Sequence, residues 1–179
     1  MREKKRKKSE MPPKPFILPI SEEKRKLKEL KYTLYTDGSC DNMGTRHGGW
    51  ASYILDPSDN GWLISGQAVD TTSNRMELQA IIEGLQWILQ KYDETTRRHV
   101  KVTLYCDSKY SVNLIKEWIQ DWRTKNILES RPNLDLILQL DDQRNKCQLC
   151  PRWIPRNSCE LAALCDKTAN ERREEIKAT

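Results

Sequence analysis

Strand-forming residues alternate through Tyr32-Thr33-Leu34-Tyr35 and again through Val100-Lys101-Val102-Thr103-Leu104-Tyr105, and each run then reaches an aspartate, Asp37 or Asp107. A core would take an apolar residue at either place. Side chains along a strand alternate with period 2, so Tyr35 shares a face with Asp37 and Tyr105 shares one with Asp107. If the two strands are neighbours in register, the carboxylates lie side by side, and two close anions that lose hydration require compensation.

Between these runs, Trp50 to Asp56 and Gly61 to Val69 read as two further strands around a Pro-Ser-Asp-Asn-Gly turn, which completes a three-strand meander. The stretch TTSNRMELQAIIEGLQWILQKY opens on Thr, Ser and Asn as cap candidates. It then carries apolar residues at 78, 81, 82, 85, 88 and 89, a spacing that predicts a helix with one buried face. After the polar turn DETTRRH and the strand ending at Asp107, SKYSVNLIKEWIQDW reads as a second helix and NLDLILQLDDQRNK as a third. PRWIP then reads as a fifth strand and LAALCDKTANERRE as a final helix. A strand, a helical crossover and another strand imply parallel pairing, so the predicted sheet is mixed, an antiparallel meander joined to parallel strands.

Charge divides the chain. Residues 1 to 31 hold 12 Lys or Arg against 5 Asp or Glu, and the remainder holds 19 against 21, so an arm of +7 precedes a domain of −2. We place the boundary near residue 30, with a basic, proline-containing arm over 1–30 and the folded domain over 31–179. Such an arm suits a polyanion or an acidic partner, because each lysine that neutralises a phosphate releases a counterion. A solvated tail that only aids solubility is the plainer alternative, and the KKRKK cluster also has the composition of a nuclear address. With no run of about 18 apolar residues and no apolar secretory stretch at the start, the expected setting is intracellular, cytoplasmic or nuclear, with no membrane contact and a monomeric state. Cys147 and Cys150 have zinc-ligand spacing, but an intervening strand would carry Cys165 away from them. Reduced, mostly buried thiols are therefore expected over a structural zinc.

Two more acids sit at the ends of elements. Glu77 lies one turn past the cap of the first helix beside apolar Met76 and Leu78, and Asp166 follows Cys165 in the last helix. Any one of Asp37, Glu77, Asp107 and Asp166 has an ordinary role as a cap or turn acid. Together, carboxylates without matching His or Cys ligands suit a hard divalent cation, Mg²⁺ or Mn²⁺. Two such ions about 4 Å apart activate water and stabilise a leaving oxygen in phosphodiester hydrolysis. The histidines, His47 and His99, lie in turns, and neither a P-loop, a GxGxxG nor a Ser-His-Asp arrangement appears.

The motifs YTDGS, TSNRMELQA, YCDSKY, WIQDW, NLDL and CDKTA, in this order from about Lys31 to Asn170, resemble the bacterial-type members of the type 1 ribonuclease H family, which cleave the RNA strand of RNA–DNA hybrids. The resemblance implies the ribonuclease H-like fold, an α/β architecture with a five-stranded mixed sheet flanked by helices. It also implies metal-dependent endonucleolytic hydrolysis that leaves 5′-phosphate and 3′-hydroxyl ends. Asp37, Glu77, Asp107 and Asp166 would hold two Mg²⁺ ions, with Mn²⁺ as a substitute and Asp37 bridging both. Cys40, Ser73, Asn74 and Lys109 occupy positions that in the family line the hybrid's minor groove or backbone, in keeping with recognition by shape and 2′-hydroxyls. Trp118 and Trp122 resemble the start of the handle that grips the DNA strand, although residues four apart on one helix face pack equally well into a core.

The chain departs from the family in one place. WIPRNSCELAALCD offers Asn157 where many members carry a histidine on a mobile loop, which would slow turnover if that histidine aids proton transfer or release. It also has Ala162 where asparagine is frequent. Glu160 competes with Asp166 as the fourth acid, and Asp166 is preferred for its distance from Trp153. Two other readings stay open: a ribonuclease H fold serving as a structural subunit of a ribonucleoprotein, and the nuclease domain of a reverse transcriptase polyprotein. The initial Met and the basic leader favour a free-standing chain.

Overall fold

The computed structural model describes residues 30–41 and 44–177. The basic arm expected over residues 1–30 therefore lies, except for Leu30, outside the described residues. Five strands, β1 (Lys31–Cys40), β2 (Gly48–Leu55), β3 (Gly61–Ala68), β4 (Lys101–Cys106) and β5 (Gln148–Trp153), form one sheet in the order β3-β2-β1-β4-β5. The β1–β2 and β2–β3 pairs are antiparallel, and the β1–β4 and β4–β5 pairs are parallel. The expected mixed sheet is thus present.

Helix α1 (Ser73–Leu89) begins where Thr72 accepts a hydrogen bond from the Arg75 backbone N–H at 3.3 Å, one of the donors a helix start leaves unpaired. Each apolar position read from the spacing, Leu78, Ile81, Ile82, Leu85, Ile88 and Leu89, is buried, and they pack with Leu34, Ile54 and Leu104 of the sheet. A one-turn helix, α2 (Glu94–Arg97), lies within the polar turn before β4. Helix α3 runs from Lys109–Asn113 through a π-turn, Leu114–Trp118, into Ile119–Thr124. Helix α4 (Leu134–Asn145) braces that irregular turn: Arg144 donates to the Ile115 carbonyl at 2.6 Å, and buried Asp141 holds both Arg123 and Arg144. Helix α5 (Glu160–Lys177) covers the other sheet face, where small residues Ala51, Cys165 and Ala169 let it approach closely. Among the described residues, no helix is long and apolar enough to cross a membrane.

The structure moves several sequence boundaries. β1 does not stop at Asp37; it stays paired with β2 as far as Cys40 opposite Gly48. β5 begins at Gln148 rather than Pro151, and as an edge strand it accommodates a residue that cannot donate to a ladder. Helix α5 begins at Glu160, one residue before the predicted start. The cysteines also differ from expectation: all six are free, but Cys106 and Cys165 alone are buried, Cys40 and Cys147 are half-buried, and Cys150 and Cys159 are exposed.

Candidate metal centre

The register of β1 and β4 sets the site. Tyr35 pairs with Tyr105, and their rings stack at 5.1 Å between centroids. Two residues further on, Asp37 is still within β1, whereas β4 has ended at Cys106 and Asp107 has entered the connection to α3. Beyond Tyr35, β1 has no β4 neighbour, and the opening so left is where the acids converge. The Trp153 indole donates to the Asp107 carbonyl at 2.9 Å and fixes that turn from β5.

Glu77 reaches the same place from the opposite sheet face. It can do so because Gly38 lets the first turn of α1 press on β1: a Cβ at position 38 would stand 2.3 Å from the Glu77 backbone nitrogen. Asp37, Glu77 and Asp107 each offer an oxygen, and the three oxygens lie within 4.8 Å of one another. Asp37 is 5% exposed and Glu77 8% exposed. Asp37 Oδ2 and Glu77 Oε2 are buried without a hydrogen-bond partner, a costly arrangement for carboxylates that a cation would relieve.

Asp166 is not in that group. It faces a small cavity of about 10 Å³, the room of one water, lined also by Asp37, Asp107, Arg156 and Asn157, and it is ion-paired to Arg156. Glu160, the competing candidate, is exposed at the start of α5 and does not line this cavity. A hydrogen-bonded chain supports Asp166 from behind. Arg173 donates to Ser39 Oγ at 2.7 Å, Ser39 donates to Asn170 Oδ1 at 2.7 Å, and the Asn170 amide donates to the Asp166 carbonyl at 2.9 Å.

Electrostatics match this crowding. Burial, then Asp107 and Asp166, push the Asp37 carboxyl up to about 7, against a partial offset from Arg156 and the Gly38 N–H. Burial, then Asp37 and Asp107, hold Glu77 well above the usual carboxylate range, and burial also raises Asp107. An acid whose pKa is higher in the folded than in the unfolded chain destabilises the fold once ionised. For Asp37 this penalty starts near pH 4 and is complete above about pH 7. A cation binding the ionised trio cancels it. Mn²⁺ is therefore expected to raise the melting temperature strongly at pH 8 and hardly at pH 4.5, which melts in Mn²⁺ and in EDTA at the two pH values would measure. Equal shifts at both would exclude the trio as the ligand set.

The residues expected to meet substrate are less concentrated. Half-buried Cys40 directs its thiol to the Thr71 carbonyl at 3.5 Å, Ser73 opens α1, and Asn74 is exposed one residue later. Exposed Lys109 starts α3 with its ammonium 5.0 Å from the Trp153 ring centre. Trp118 and Trp122 stack at 5.7 Å and pack, partly buried, against the main core, with the Arg131 guanidinium 4.9 Å from the Trp122 ring centre. Zinc gains no support, since the carboxylate trio alone brings three metal-binding side chains together among the described residues. Arg156, Ser39, Asn170 and Trp153 went unrecognised in the sequence. Nothing local marks them: one is a loop arginine beside the asparagine singled out there, and the others act only through tertiary contacts.

The β3-β2-β1-β4-β5 sheet with three carboxylates at the mouth of β1 and β4 defines a ribonuclease H-like fold. The family model described as RNase H matches residues 29–174. The chain is 40% identical over 143 residues to Ribonuclease H of Hahella chejuensis (strain KCTC 2396), which spans 76% of this chain and 89% of that protein. It belongs to the ribonuclease H family. Among solved structures, LC9-RNase H1, a type 1 RNase H with the type 2 active-site motif, superposes with a TM-score of 0.68 at 22% identity, covering 81% of this chain and 72% of that one. LC11-RNase H1 in complex with RNA/DNA hybrid gives a TM-score of 0.59 at 21% identity, covering 82% of this chain and 99% of that one.

Proposed function

We propose that this chain is a metal-dependent endonuclease that hydrolyses the RNA strand of RNA–DNA hybrids and leaves 5′-phosphate and 3′-hydroxyl ends. The observation that carries the metal requirement is the pair of orphaned, buried oxygens on Asp37 and Glu77, within a trio whose donors are all carboxylate. Oxygen-only donors suit Mg²⁺, with Mn²⁺ as a substitute, and exclude any preference for soft metals. The family works with divalent metals, and a relative of this fold has been solved on an RNA/DNA hybrid. A pair of divalent cations, when bound, supplies an activated water and neutralises charge at the leaving oxygen.

The chain's own residues prepare that chemistry. Asp37, fixed inside the central strand, faces both neighbouring acids and would be shared between the ions. Glu77 and Asp107 would hold the ions from the two sides, and Asp166 would be the fourth ligand, supplied from α5. Close packing of α1 on β1 at Gly38 holds Glu77 beside Asp37 before any ion arrives. Cys40, Ser73, Asn74 and Lys109 would follow the hybrid backbone, Trp118 and Trp122 would support the handle, and the arm at 1–30 would add affinity independent of sequence.

The test is cleavage of an end-labelled RNA–DNA hybrid, with single-stranded RNA and duplex DNA as controls, in Mg²⁺, in Mn²⁺ and in EDTA. Cutting of the hybrid alone, lost in EDTA, with a 5′-phosphate on the downstream product, is expected. A folded protein that cuts in neither metal would overturn the reading.

A further inference from the structure

Among the described residues, Arg156 is the group that brings opposite charge to the trio. It leaves the β5–α5 connection between Pro155 and Asn157, whose φ of 54° marks a left-handed turn. The guanidinium pairs with Asp166, Nε lying 3.0 Å from Oδ1, while the arginine side chain stays 61% exposed. From this position its positive charge also acts on Asp37, Glu77 and Asp107. Three carboxylates stand together, and the fourth, Asp166, lines the same small cavity but is engaged by Arg156 on its rim.

We propose that Arg156 is a built-in counter-cation, which keeps Asp166 out of the Asp37–Glu77–Asp107 group and releases it only when a second divalent cation enters. The inference rests on the metal-dependent reading above. An ion pair with so exposed an arginine is weak against water and salt, so the exchange is open to a competing cation. A divalent ion carries twice the charge and can be held by several carboxylates at once, which decides the competition in its favour at sufficient concentration. The backbone need not move, because a proline on one side and a tight turn on the other leave the long arginine side chain as the movable part. The first ion meets a preassembled trio, whereas the second must displace Arg156. Arg156 thereby sets the metal concentration at which the site becomes fully loaded.

Calorimetric titration of the full chain with Mn²⁺ alone, in the absence of nucleic acid, tests this. Wild type is expected to show a tighter and a weaker binding event. Arg156→Ala should tighten the weaker event about tenfold and leave the tighter one nearly unchanged, and Arg156→Lys should fall between the two proteins. Melting curves in EDTA confirm that each variant is folded. Mn²⁺ binding that is intact in wild type yet equal or weaker in Arg156→Ala overturns the counter-cation role while the metal reading stands. Absence of Mn²⁺ binding in wild type overturns both.

Discussion

Asp37→Asn is expected to fold and to lose hydrolysis by at least about a thousandfold. The substitution keeps side-chain size and hydrogen-bonding shape, so the packing around β1 is retained. It removes the negative charge from the member of the trio that faces both other acids, and with it the electrostatic hold on a bound cation. Loss of several kcal/mol of such stabilisation corresponds to three or more decades of rate. In EDTA at pH 8 the variant should also melt higher than wild type, because Glu77 and Asp107 no longer face a third buried anion. Cleavage rates at saturating Mg²⁺ and paired melting curves would measure the two effects. A variant that keeps a tenth of the wild-type rate would show that Asp37 does not hold the metal.

Gly38→Ala is expected to cost about 3 kcal/mol of stability and at least about tenfold in rate at saturating metal. None of the described glycines has a positive φ, so backbone freedom is not the reason for this one. The added Cβ would stand 2.3 Å from the Glu77 nitrogen, 2.5 Å from the Met76 carbonyl carbon and 2.9 Å from the Glu77 Cα. These are backbone atoms in the first turn of α1, and they cannot rotate away as a flexible side chain would. The helix must lift from β1, and Glu77 lifts with it. Urea unfolding and the hybrid cleavage assay separate the two losses, and a variant with the wild-type midpoint and rate would refute the close-approach account.

The central pairing was legible because period 2 leaves little choice: once Tyr35 and Tyr105 share a register, their strands bring Asp37 and Asp107 together. The buried stripe of α1 was equally plain from its spacing. Strand ends were not. Asp37-Gly38-Ser39 has turn chemistry, yet pairing with β2 carries β1 on to Cys40, a tertiary preference overriding a local one. The fifth strand was read as starting at Pro151, but β5 begins at Gln148 and lies on the edge, where the missing donor is tolerated. The pairing of Asp166 with Arg156 was invisible for another reason. It depends on how a short connection crosses from β5 to α5, and no periodicity governs that path.

The placement of Asp37 within β1 rather than at its end also divides the site by how readily each part opens. β1 is paired with β4 as far as Tyr35 and with β2 through Asp37 to Cys40, so the stretch that carries Asp37 is released only when the β1–β2 pairing comes apart. Asp37 is thus held by the central strand of the sheet. Arg156 belongs to a connection that follows an edge strand, and its exposed side chain can leave Asp166 without breaking any strand pairing. A rigid ligand set next to an easily opened rim lets ions and products exchange without disturbing the geometry that the chemistry needs.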